Sequence, residues 1–196
     1  MFKKFSIIFF VVFIYTFNLY AFEKKAENFI SETANNAKKI ILDTKTNEKE
    51  KRKSLEELAL NTVDVSGLAK FTIGDAIKNL NEKQTLEFIE TFKVFFSKNI
   101  SNKLKDYSDQ KVVITGSKKI SESYVLVNSK IVSNKDKQEI IVDWRVFLVN
   151  DKLIIRDLVV EGLSLARTQR EELSSIIANK GYDNLIISLK DYISKN

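Results

Sequence analysis

The chain has 196 residues, 32 Lys and Arg against 26 Asp and Glu, a formal charge of +6, and no histidine, cysteine or proline. The absence of histidine and cysteine excludes histidine-assisted serine or cysteine catalysis and the usual zinc, copper and iron–sulfur sites. Carboxylate, lysine or tyrosine chemistry is what remains for an enzyme. The basic excess is mild and interleaved with acid, as in Glu48-Lys49-Glu50-Lys51-Arg52-Lys53, which is the pattern of a solvated helix face and not the one-sided basic patch of a nucleic-acid binder. Its functional use would be weak attraction to anionic headgroups or to an acidic partner surface.

The first segment has the order of an export signal. Lys3 and Lys4 form a basic start, Phe5 to Phe17 is a largely apolar run, and Ala21 is a small residue at a cleavage position. Cleavage after Ala21 is expected, leaving residues 22–196 as one domain with a sizeable core and no disulfide. The rival is an uncleaved anchor, because no charge occurs between Phe5 and Phe22.

Beyond this segment the chain reads as helical, then stranded, then helical. Ala26, Phe29, Ile30, Thr33, Ala34, Ala37, Ile40 and Ile41 recur at helical spacing and predict a helix from about Glu23 to Leu42. A second helix is expected over Glu48 to Asn61 and a short one near Ser66 to Phe71. Asn81 with Gln84 resembles a capping pair opening a long helix to about Tyr107. Four strands are expected at Lys111 to Gly116, Ser123 to Ser133, Gln138 to Val149 and Lys152 to Val160, with turns at Asn134 to Lys137 and Asn150-Asp151. Two closing helices are expected at Ser164 to Lys180 and Asp183 to Ile193, entered through Gly162 and a capping Ser164 and separated at Gly181.

Two apolar surfaces stand out. The helical segments carry Phe71, Phe88, Phe92, Phe95 and Phe96, while strand alternation places Ile140, Val142, Trp144, Val146 and Leu148 on one face. These surfaces are expected to face each other, and on composition alone they would simply form a packed core. Asp143, Asp157 and Glu161 are the acidic candidates for chemistry, with capping or pairing to Arg145, Arg156 or Arg170 as the plainer alternative. The five glycines, at 67, 74, 116, 162 and 181, are scattered singly and form no phosphate loop.

Several motifs together resemble the MlaC family of periplasmic phospholipid shuttles. Asp157-Leu158-Val159-Val160-Glu161-Gly162 followed by Ser164, Arg170 and Gly181 is similar to its strand, glycine, serine and helix order. Val63-Asp64-Val65-Ser66-Gly67-Leu68-Ala69-Lys70-Phe71-Thr72-Ile73-Gly74, then Gln84, Glu87-Phe88 and Phe92, resemble its preceding segments, and Val142-Asp143-Trp144-Arg145-Val146 its aromatic-bearing strand. The chain departs from the pattern at Leu153 and Leu173, where the family has aromatics, at Lys70, where arginine is common, and at Ala76 to Lys78, which lack an aromatic.

The resemblance implies an α+β, nuclear-transport-factor-like domain, a four-stranded antiparallel sheet wrapped by helices around a hydrophobic cavity. It implies phospholipid as cargo, no cofactor, no metal and no catalytic step. Implied partners are an inner-membrane ABC lipid transporter complex and an outer-membrane lipoprotein/porin complex. Phe71, Ile73, Phe88, Phe92, Phe95 and Phe96 are then expected to line the cavity from the helices, and Val127, Ile131, Val142, Trp144 and Val146 from the strands. Lys70, Arg145 and Arg170 are the headgroup candidates, with ordinary salt bridging as their alternative. An exported carboxylate enzyme of the same architecture and an exported peptide-binding adaptor or chaperone are the competing functions.

Overall fold

The computed structural model describes residues 3–105, 107, 109–133 and 139–196, with side chains from Ala21 onward. The first helix, α1 (Lys3–Leu42), starts well before the expected Glu23, because no proline or glycine interrupts the chain there. Its predicted periodicity holds: Ala26 and Ile30 are fully buried. The helix runs antiparallel along the first strand, β1 (Gln110–Ser121), and is pinned to it at three points. Glu23 accepts from the Lys119 amide at 2.7 Å, Glu27 from the Ser117 hydroxyl at 2.8 Å, and Lys38 donates to the Gln110 carbonyl at 2.9 Å.

Helix α2 (Glu48–Thr62) is capped by Asn47, whose side chain accepts from the Glu50 amide. It ends where Val63 forms a parallel bridge to Ile155 and the Asp64 amide donates to the Ile155 carbonyl at 2.9 Å. Asp64 then serves two elements: its carboxylate caps α3 (Val65–Ile73) at the Gly67 amide and accepts from Arg156 at 2.9 Å. A 3-10 turn over Gly74–Asn79, which the sequence pattern did not predict, links α3 to α4 (Glu82–Leu104). The predicted capping pair is present in full, with Asn81 accepting from the Gln84 amide and Gln84 from the Asn81 amide. Helix α4 ends at Leu104, short of the expected Tyr107.

The strands β1, β2 (Tyr124–Ser133), β3 (Glu139–Val149) and β4 (Lys152–Val160) form the antiparallel meander in chain order. The expected four-stranded sheet has five strands, because Leu163–Ser164 turns back on Val159 and Val160 as a two-residue β5. Strand β1 does not stop at Gly116: the register shifts between Ile114 and Gly116 and the strand continues. A bulge there absorbs the glycine that would otherwise read as a strand end. The expected turn at Asn134 to Lys137 lies outside the described residues. Asn150 and Asp151, at φ 48° and 61°, make the expected tight turn between β3 and β4.

The two expected closing helices appear as α5 (Leu165–Lys195), broken at Gly181, where φ is 79° and ψ is 171°. Glycine takes that backbone at no steric cost, and the chain changes direction there. Ser164 caps α5 at the Arg167 amide, as expected.

The apolar interior is divided in two. Ala26 and Ile30 of α1 pack with Val125, Val127, Val146 and Ile155 of the sheet. Separately, Val65, Ala69 and Ile73 of α3 pack with Phe88, Phe92 and Phe95 of α4 and with Leu173, Leu185, Ile186 and Leu189 of α5. The expectation that the aromatic face of α4 meets the strands is therefore corrected: it closes on α3 and α5, while α1 covers the sheet. Among the described residues, Val63 at the α2–α3 junction is the one side chain packed against both groups.

Candidate functional site

Along β3, alternation carries Val142, Trp144 and Val146 onto the apolar face, as expected, with Val142 and Val146 buried and Trp144 partly so. Across from them on β2, Val127 pairs with Trp144 and Ser129 with Val142. A polar chain crosses this face: the Trp144 indole N–H donates to the Ser129 hydroxyl at 2.8 Å, which donates to the Val142 carbonyl at 2.9 Å. Ser129 is 1% exposed, so both its hydrogen bonds are needed to offset burial, and one of them ties the indole N–H to β2. Ser129 and Val125 were missed in the sequence, although the alternation that selects Val127 also selects positions two residues either side of it. Ile131, further along the same face, is half-buried and lies outside both clusters.

On the helical side, the α4 rings form an aromatic cluster centred on Phe92. Phe92 lies 5.8 Å from Phe88, 5.9 Å from Phe95 and 6.2 Å from Phe96, centroid to centroid, and Phe95 meets Tyr192 of α5 edge-on at 5.0 Å. Ile73 joins them, buried. Phe71 does not. With Ala69, Thr72 and Ile73 facing inward, position 71 falls on the outer side of α3 and its ring is 41% exposed.

The three candidate cations have different surroundings. Lys70 is exposed on α3. Arg145 projects to the opposite face of β3 from Trp144 and Val146, where its Nη1 is 3.5 Å from Asp157 Oδ2 and its Nε is buried without a partner. It lines a recess of about 210 Å³ with Val159, Leu163, Ser164, Arg167, Thr168 and Glu171, a wall of mixed apolar, hydroxyl and charged groups. Arg170 lies on α5 with its guanidinium over the Phe71 ring, 5.1 Å from the centroid.

Each acidic candidate is engaged in holding the fold. Asp157 accepts from the Ser164 hydroxyl at 2.6 Å and the Ala166 amide at 3.0 Å, anchoring the start of α5 to β4. Asp143 accepts from Asn128 at 2.8 Å, and Glu161 from the Ile141 amide at 2.5 Å. Among the described residues no cluster of acids could hold a metal ion. Nor is any helix among them long and apolar enough to cross a membrane.

A tyrosine just past the Gly181 break ties α5 to the first turn of α4. The Tyr182 hydroxyl donates to the Gln84 carbonyl at 2.7 Å. Burial, reinforced by the nearby Glu87 carboxylate, pushes the Tyr182 phenol up to about 12.

Comparison with known proteins bears on this geometry at the level of the whole chain. Residues 28–191 match the family model described as MlaC protein. A similar solved structure is the phospholipid-binding protein from Ralstonia solanacearum in complex with a phospholipid, with a TM-score of 0.73 and 16% sequence identity over 87% of this chain and 97% of that one. That likeness carries the fold. No match is found among the curated proteins.

Proposed function

The chain belongs to the MlaC family, and from that premise we propose that it binds a single phospholipid and carries it through the periplasm between the outer and inner membranes, maintaining outer-membrane lipid asymmetry. Its acyl chains occupy a cavity at the seam between the sheet face and the helical layer. In this reading residues 1–21 are a cleaved signal peptide and residues 22–196 the lipid-binding domain. The donors and acceptors of lipid are an inner-membrane ABC transporter complex and an outer-membrane lipoprotein/porin complex.

The observation that carries the reading is the divided interior: the apolar sheet face and the aromatic helical face bury separately and, among the described residues, join at Val63. A domain whose core were one continuous block would have no such seam to open. The solved relative in complex with a phospholipid is consistent with it. The physical requirement is clear as well. A diacyl lipid hides roughly 30 methylenes, each worth about 0.8 kcal/mol in transfer from water, so an aqueous crossing needs an apolar shield. The source membrane offers nearly the same gain, so a carrier needs comparable affinity and takes its direction from its partners. The roles of the three acids as caps and strand ties favour binding over carboxylate catalysis.

Trp144 is the sole tryptophan, so its emission reports directly on the sheet face. Loading lipid from liposomes should shift that emission. Val127→Trp or Val142→Trp, which fill the same face, should change the acyl-chain lengths retained. Loading that leaves the emission unchanged, with an unaltered chain-length profile in both variants, would remove the sheet face from the site.

A further inference from the structure

We propose that Arg170 is the phosphate anchor of the bound lipid, its guanidinium held ready by Phe71 and Gly74 to take a phosphodiester anion. The inference rests on the lipid-binding reading and names the group that receives the polar end of the ligand. Arg170 shares a stripe of α5 with buried Ala166 and Leu173, so a cation is placed at the margin of the helical core.

Two neighbours from the end of α3 stand close to its guanidinium. Phe71 lies against it at 5.1 Å. At Gly74 an added Cβ would stand 3.0 Å from Nη2 and 3.2 Å from both Cζ and Nε. The absence of a side chain at Gly74 therefore leaves the guanidinium the room it occupies. The N–H groups of that guanidinium are the part of an arginine that pairs two-to-two with a phosphate or carboxylate.

Those donors are unspent. Among the described residues they make no hydrogen bond or ion pair, in contrast to Arg145, drawn towards Asp157 at 3.5 Å, and Arg156, bonded to Asp64 at 2.9 Å. The acid nearest in chemistry, Asp75, is committed to Lys78 at 2.6 Å, which chiefly holds its carboxyl below the usual range; Arg170 adds only a smaller pull. Gly74 is constrained for the same purpose. At φ 58° a side chain there would be strained as well as crowded against the guanidinium. The exposed Phe71 ring then has a use that burial does not explain: it stiffens the cation and presents an apolar edge beside it, suited to a group that is part anion and part hydrocarbon.

The test compares the purified full chain and its variants in binding phosphatidylglycerol and diacylglycerol of identical acyl chains, read by Trp144 emission. The wild type should prefer the phospholipid by about tenfold or more, the range of one charge-assisted pairing. Arg170→Gln should lower phosphatidylglycerol binding by about that factor and leave diacylglycerol binding unchanged. Arg170→Lys, which keeps the charge without the fork, should retain part of the preference, and the exposed Lys53→Gln on α2 all of it. Excess inorganic phosphate without lipid should not raise the melting temperature; a rise that disappears in Arg170→Gln would reassign the site to free phosphate and overturn the lipid assignment. A preference that survives in Arg170→Gln overturns the anchor while leaving lipid binding intact. Equal weakening of both ligands together with a lower melting temperature would make Arg170 a strut between α3 and α5 and overturn it also. Binding of neither ligand by the wild type would remove the lipid-binding reading itself.

Discussion

Phe92 and Trp144 both invite truncation, and their surroundings predict different results. Phe92 is fully buried among Phe88, Phe95 and Phe96, so Phe92→Ala should cost about 3–5 kcal/mol in chemical denaturation, with or without lipid. Trp144 is partly buried on the strands and anchored by Ser129, so Trp144→Ala should cost less and instead reduce lipid retention. An equal loss of stability at both positions, with retention unchanged, would make Trp144 a core residue. Tyr182 supplies a pH signature. Its proton is held more tightly in the folded chain than the ordinary value of 10.0, so the stabilisation is fully present below about pH 10 and is lost as pH rises through about 12. Melting temperatures of the wild type and Tyr182→Phe should therefore converge over that window; parallel curves would contradict the assignment. At this scale Val127, Val142, Trp144 and Val146 were legible because side chains alternate along β2 and β3, whereas the outward side of Phe71 was not, because a nine-residue helix offers little periodicity to separate an inward from an outward aromatic.

Elements are joined here by acids that serve two neighbours at once. Asp64 caps α3 and holds Arg156 of β4, while Asp157 of β4 holds both Ser164 and the first turn of α5. Asp64→Ala should cost more than the roughly 1 kcal/mol of an isolated cap, since Arg156 loses its acceptor in the same step. Asn81→Ala, which removes a self-contained capping box, should stay near that isolated value. Equal costs in equilibrium unfolding would mean that the Asp64–Arg156 pair adds nothing. Gly67 belongs to the same device: a Cβ there would run into the Asp64 carboxylate, so the cap and the glycine are one requirement. The Asn81 and Ser164 caps, the Asn150-Asp151 turn and β4 were readable because each depends on local residue chemistry. The continuation of β1 past Gly116 was not, because pairing with β2 carries the strand through a residue that locally signals its end. The two-residue β5 and the 3-10 turn are too short to leave a pattern.

Across the whole molecule, the α+β class and strand order followed from the run of periodicities, but the way the apolar surfaces pair did not. Two amphipathic faces in a sequence carry no label for their partners, and here α1 took the sheet while α3 and α5 took the aromatic face of α4. That partition places the proposed lipid at a seam and not between α4 and the strands alone. Export is tested separately: the chain isolated from the periplasmic fraction should begin at Phe22, and recovery of intact Met1 in a membrane fraction would contradict a soluble carrier. The most direct test of the central claim is mass spectrometry of lipid extracted from the gently purified native protein. The account predicts phospholipid at about one per chain, with delipidation lowering the melting temperature because the ligand binds only the folded state. Extracts without phospholipid, from protein that also cannot be loaded from liposomes, would contradict it.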